Sequence, residues 1–110
     1  MLAYVTLFGQ IANLADQSTE LCDREPIMLV RNNKERGNTI ISRNEVKLIC
    51  RDTNPGICYI AVYTERFGGE PIALMQLVDA PVHDSTVLIT DGALEFGIGG
   101  DNAKRVLSEN

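Results

Sequence analysis

His83 is the single histidine of the chain, set between Pro81 and Asp84-Ser85 with Asp79 a little upstream. An imidazole oriented by a carboxylate is a general base near neutral pH, so His83 with Asp84 or Asp79 is the one grouping whose residue types can move a proton. Asp84-Ser85 is equally ordinary turn chemistry, and neighbours in sequence seldom point at each other. The expectation is a surface loop, with His83 and Asp84 only weak catalytic candidates. The three cysteines, Cys22, Cys50 and Cys58, lack the paired short spacing of zinc ligands, and each stands among apolar residues. They are expected to be buried reduced thiols, with no metal site. Only Lys47 and Arg51 bring positive charge near Cys50 or Cys58 in sequence, too little to mark a nucleophilic thiol. Gly97-Ile98-Gly99-Gly100 lacks both the dinucleotide fingerprint and the Lys-Ser/Thr of a phosphate loop, so no cofactor is expected. Asp16, Glu20, Asp23 and Glu25 collect around Arg24, which predicts a solvated acidic turn with a local counter-charge.

Composition narrows the classes further. At 110 residues the chain fits one domain spanning 1–110, with 101–110 a short helix and frayed tail, and 45% apolar against 23% charged residues is ordinary globular composition. A formal charge of −5 sets it against phosphate backbones and anionic lipid, so neither nucleic acid nor membrane is an expected partner. The basic cluster of Arg31, Lys34 and Arg36 is broken by Asn32, Asn33 and Glu35 and reads as a turn. Met1–Leu14 has no basic start and carries Gln10 and Asn13, which is not the pattern of a secretory leader. With unpaired thiols as well, the expected compartment is the cytoplasm.

The elements that must position these residues follow from periodicity. Tyr4, Leu7, Phe8, Ile11, Leu14 and Ala15 fall on one helical face and polar residues on the other, predicting an amphipathic helix from about Leu2 to Leu21, with Cys22 continuing its stripe. Ile27–Arg31 and Thr39–Ile41 read as a hairpin around an Asn-rich loop. Ser42-Arg43-Asn44-Glu45 matches a capping box, and Val46, Ile49 and Cys50 then predict a second helix of about two turns ending at Arg51. Ile57–Glu65 is apolar on both faces and should lie inside a sheet, with Ile72–Asp79 as its antiparallel return, although a buried helix has the same apolar pattern. Thr86–Thr90 and Ala93–Ile98 around Asp91-Gly92 carry a hairpin signal, and Asp101 is placed to cap a last helix over Asn102–Ser108. The expected fold is α+β: the N-terminal helix packed on a mainly antiparallel sheet of about four to six strands, with a short second helix inserted.

For function, sparse acid-base chemistry and strands apolar on both faces point to a non-catalytic binding or adaptor protein. It is expected to self-associate through an apolar sheet or helix face as a homodimer, and to bind another protein. An accessory role in a phage or mobile element, blocking a larger partner, suits such a small acidic chain. The alternative is a small-molecule-binding protein or small enzyme, with a pocket between helix and sheet lined by Tyr4, Phe8, Tyr59, Tyr63 and Met75 and completed by His83.

Overall fold

The first segment is a strand. The computed structural model describes residues 1–10, 13–34, 37–52, 56–76, 82–83 and 85–97, with the backbone alone at 33–34, 37 and 82–83. Over these residues the fold is nearly all β, and the α+β expectation is overturned: the one helical piece is a single 3-10 turn at Gln17–Thr19. β1 runs Leu2–Gly9 where the long helix was expected. Ala3, Val5 and Leu7 are buried on one side of it while Thr6 and Phe8 are buried on the other, so the spacing that mimics a helical stripe comes from a strand covered on both faces. The branched and aromatic content of Tyr4-Val5-Thr6-Leu7-Phe8 favours extended backbone, and Gly9 ends the strand.

The second expected helix is also a strand. β4, Val46–Ile49, alternates buried Val46 and Leu48 with exposed Lys47 and Ile49, a period of two. The capping box does not form because its serine is engaged elsewhere. Ser42 ends β3 (Gly37–Ser42), its Oγ accepts from the Leu94 amide at 3.2 Å, and its own amide donates to the Leu94 carbonyl at 2.9 Å.

β2 (Glu25–Lys34) and β3 form the expected hairpin, and β5 (Ile57–Tyr63) with β6 (Pro71–Gln76) form the other. The Asp91-Gly92 turn does form, with Gly92 at φ 80° and the Ala93 amide on the Thr90 carbonyl. Its flanks nonetheless part company. β8 (Thr86–Ile89) pairs with β4 and with β7 (Val82–His83), whereas β9 (Glu95–Gly97) crosses to pair with β3. Leu94, fully buried beside Ser42, anchors that crossing. The last expected helix, 102–108, lies outside the described residues.

Two antiparallel sheets result, one of six strands in the order β6-β5-β1-β2-β3-β9 and one of three in the order β4-β8-β7. Together they make a nearly closed, barrel-like body. Residues paired across a ladder share a side, so the registers define two faces for the large sheet. Its inner face carries Val5, Leu7, Ile27, Leu29, Ile60 and Met75, which form one core with Val46, Leu48, Val87 and Ile89 of the small sheet. Among the described residues no helix is long and apolar enough to cross a membrane.

Candidate functional site

The outer face of the six-stranded sheet is divided into a roofed half and a bare half. In the roofed half, Phe8, Ala61 and Tyr63 form a second small core joined by Leu14, Tyr59 and Leu74. Two loops close over it: residues 13–24, and residues 64–70 between β5 and β6. Arg24 is the tie between them. Its side chain is as buried as that of Glu20, with which it forms an ion pair at 2.7 Å. Its Nη1 donates to the carbonyls of Glu65 and Gly68, both at 2.8 Å, and its guanidinium lies 3.6 Å from the centroid of the Tyr63 ring. Gln17 adds a second tie, accepting from the Gly68 amide at 2.7 Å. Gly68 and Gly69 take φ of 69° and 77°, a turn that side chains rarely adopt and that lets the loop fold back onto Arg24.

The acidic cluster flagged in the sequence is therefore divided among separate contacts and is not one solvated patch. Glu20 is buried against Arg24. Asp23 pairs with Arg51 at 2.8 Å, and Arg51 Nη1 donates to the Glu20 carbonyl at 2.6 Å. Asp16 caps the 3-10 turn, and its bonds from the Ser18 hydroxyl and amide hold its carboxyl below the usual carboxylate range. A cleft of about 220 Å³ opens beside these groups, among Gln17, Asp23, Arg51, Arg66 and Phe67. That is below the roughly 300 Å³ at which small-molecule sites begin. In its Arg51–Asp23 and Arg24–Glu20 pairs the charges already neutralise each other.

The residues expected to line a helix–sheet pocket do not meet in one. Tyr4, Phe8, Tyr59 and Tyr63 do share the outer face, as their register requires. Met75 pairs with Ile60 on the inner face, and among the described residues no α-helix stands over either side. Tyr63 is fully buried, with its hydroxyl donating to the Leu14 carbonyl at 3.4 Å, and burial next to the Glu20 charge pushes its pKa up. His83 pairs through its backbone with Thr86 in β7, and Asp84 lies outside the described residues, as does Asp79. Nothing in the described geometry joins them to the tyrosines.

The thiols follow the sequence reading more closely. Cys22 and Cys50 are buried and Cys58 half-buried, all three free. Burial pushes Cys22 up to about 11, against the opposing effect of its hydrogen bond with Thr6, and burial likewise raises Cys50. Thiols held protonated in this way are poor nucleophiles and poor ligands. Among the described residues no cluster of His, Cys, Asp and Glu is arranged to hold a metal.

What the sequence reading missed is the bare half. Leu2 faces Met28 and Val30 faces Ile41 across adjacent strands on the outer side. Leu2 is 50% exposed, Met28 42% and Val30 38%. Single exposed apolar side chains are common, but here they adjoin on one surface. At one end of this strip stands Tyr4, with the Arg66 guanidinium 4.9 Å from its ring centroid. At the other, Glu95 accepts from Thr39 Oγ1 and from Asn32 Nδ2. The alternation Leu2-x-Tyr4 and Pro26-x-Met28-x-Val30 was the available signal, hidden at β1 by the helical spacing laid over it. No family model matches the chain, and no curated protein or solved structure matches it either.

Proposed function

We propose that this protein is a non-catalytic binding module that self-associates through the bare half of its large sheet. One observation carries the proposal: Leu2, Met28 and Val30 stay exposed as neighbours on a face whose other half the chain has covered with its own loops. Covering such apolar surface yields about 25 cal/mol per Å² removed from water, and a second sheet face is the natural cover. The separation of Met75 from the tyrosines weighs against the ligand pocket expected from the sequence. Two hollows larger than the cleft beside Phe67, about 410 Å³ along Met1, Val30 and Ile40 and about 540 Å³ along Leu14, Glu70 and Pro71, are wide open to solvent and gather none of the expected pocket residues. Three free thiols, two of them buried, suit a reducing compartment, so we place the module in the cytoplasm.

Light scattering on a size-exclusion column, run over a range of loading concentrations with reductant, tests this. The expected mass rises with concentration toward that of a dimer, and Met28→Glu, in the middle of the strip, holds it at the monomer. A wild type that stays monomeric at every concentration overturns the proposal.

A further inference from the structure

Two of the buried thiols meet across a seam of the fold, where the roof segment passes the end of β4. We propose that Cys22 and Cys50 are a disulfide site: a dithiol at rest, which a small-molecule disulfide converts into a bond fastening the roofed half of the large sheet to the small sheet.

Backbone geometry carries the argument. The Arg43 amide donates to the Met28 carbonyl at 2.8 Å, and the Arg51 amide donates to the Leu21 carbonyl at 3.1 Å. Between these two bonds one segment advances while the other retreats, so 43–51 and 21–28 run antiparallel, with β4 packed beside β2. Cys50 precedes the Arg51 amide and Cys22 follows the Leu21 carbonyl, so the two cysteines flank the second bond. In an antiparallel pair, residues in that position face each other without a hydrogen bond, their α-carbons about 4.5 Å apart. A disulfide needs about 4.4–6.8 Å between α-carbons.

Side-chain placement agrees. Val46, Leu48 and Cys50 are buried at every second position into the main core, and Cys22 enters that same core from the roof segment. A charge on Cys50 disfavours one on Cys22, as between close neighbours. Arg51 then fixes the approach. Its Nη1 donates to the Glu20 carbonyl at 2.6 Å and its Nη2 to Asp23 Oδ1 at 2.8 Å, so residues on both sides of Cys22 are bound to the residue after Cys50. Two groups already held together close a bond without first being ordered.

Burial keeps both thiols protonated, so the pair stays open in a reducing compartment. Oxidised glutathione supplies the oxidising power, and the cleft that Cys22 lines together with Arg51 leads it to the pair. Burial raises the Cys50 thiol but the Arg51 charge opposes that effect, so Cys50 is the first to react. It loses its proton and attacks one sulfur of the glutathione disulfide, whose S–S bond breaks, and one glutathione leaves and takes up a proton. Cys22 then loses its proton and attacks the Cys50 sulfur, which forms the Cys22–Cys50 bond and releases the second glutathione as its thiol. Two cysteine thiols are oxidised and one glutathione disulfide is reduced to two thiols. The new bond encloses residues 23–49, restricts the unfolded chain, and keeps the roof from lifting away from β4.

The test uses the full chain carrying Cys58→Ser, which removes the half-buried thiol that would take up glutathione by itself. Folded protein is treated with excess oxidised glutathione at mildly alkaline pH. Both remaining thiols are expected to disappear together, with the intact mass falling by about 2 Da and no glutathione retained. Digestion should give one peptide pair joining positions 22 and 50 that reductant separates. The urea midpoint should rise on oxidation and return on reduction. Adding Cys22→Ala to Cys58→Ser should abolish the loss of two hydrogens. A second sample is refolded from urea in a glutathione redox buffer, so that access to the buried pair cannot hide the result, and the joined peptides appearing there also support the site. Thiols that stay free after both treatments, or that carry separate glutathiones, overturn the proposal. So does a bond that forms but lowers the urea midpoint.

Discussion

The two halves of one sheet face solve the same problem differently. Where β1 meets β5 and β6, the outer side chains are large and the chain folds 13–24 and 64–70 over them, so Phe8 and Tyr63 are fully buried. Where β1 meets β2 and β3, the outer side chains are as apolar, yet the described loops stop short and Leu2, Met28 and Val30 keep their exposure. The difference lies in Arg24. A roof made of loops has little apolar mass, and this one is held by a buried ion pair and by carbonyls of residues 65 and 68 brought to a single guanidinium. No such tie reaches the bare half among the described residues. The buried polar ties thus lie in the first half, and the second is the face we propose for contact.

The sharpest way to break that comparison is Arg24→Met. It leaves the Glu20 carboxylate buried without its partner and unties the 64–70 loop, and removing one member of a buried pair costs about 3–5 kcal/mol. Urea denaturation should show a loss of that size. Glu20→Leu added to Arg24→Met should recover part of it, since two apolar groups replace an orphaned charge. A loss under about 1 kcal/mol would mean that the roof is held by its apolar contacts and not by Arg24.

Alkaline pH probes the seam between the roof and the main core, where Cys22 lies. The unfolded thiol releases its proton near 9.0, while the folded one holds it up to about 11. The folded state therefore binds the extra proton between these values. Stability is intact below about 9 and falls as pH rises through that window, by about 2–3 kcal/mol. Cys22→Ala should flatten most of this slope, leaving the smaller contributions of Cys50 and Tyr63, whose pKa values burial also raises. An unchanged slope in Cys22→Ala would place the titration elsewhere.

How legible this was depended on whether one residue pattern had one physical solution. Ile57–Glu65 was readable as an inner strand because its first seven residues are apolar or aromatic on both faces. Ile27–Arg31 with Thr39–Ile41 was readable as a hairpin, although the Asn32–Asn38 segment expected as its loop is mostly ladder, β2 running on to Lys34 and β3 starting at Gly37. Leu2–Gly9 was not, because a strand buried on both sides carries apolar residues at every spacing, including 3 and 4. Ser42-Arg43-Asn44-Glu45 misled for a different reason: the same serine hydroxyl that can cap a helix was taken by the Leu94 amide, a partner 52 positions away. Arg24 looked like a surface counter-charge, since nothing local shows that residues 65 and 68 will be delivered to it. The bare strip became visible only once β1 was known to be extended, which places Leu2 beside Met28.

A smaller effect is expected at the border between the halves. Thr6 Oγ1 donates to the Cys22 carbonyl at 3.1 Å in a fully buried setting, linking β1 to the segment that leads into the roof. Thr6→Val keeps the shape and removes the donor, so it should cost about 1–2 kcal/mol in the same denaturation assay. It should leave the mass distribution as it is, because Thr6 is covered within the chain.

The smallest effect on stability, and the most telling, belongs to Met28→Gln. Met28 projects from β2 into solvent, and its backbone amide is satisfied independently by Asn44 Oδ1 at 2.6 Å. Exchanging the thioether for an amide of similar length therefore removes no buried contact and breaks no ladder bond. The expected change in the urea midpoint at low protein concentration, where the proposed dimer would be dissociated, corresponds to no more than about 0.5 kcal/mol. The mass seen by light scattering at high concentration should nevertheless fall, because the amide gives up hydration on entering the proposed apolar contact and the apolar area of the thioether is lost. If Met28→Gln instead unfolds the monomer, the bare half is part of the fold's own support and the division between roof and contact surface fails at its centre.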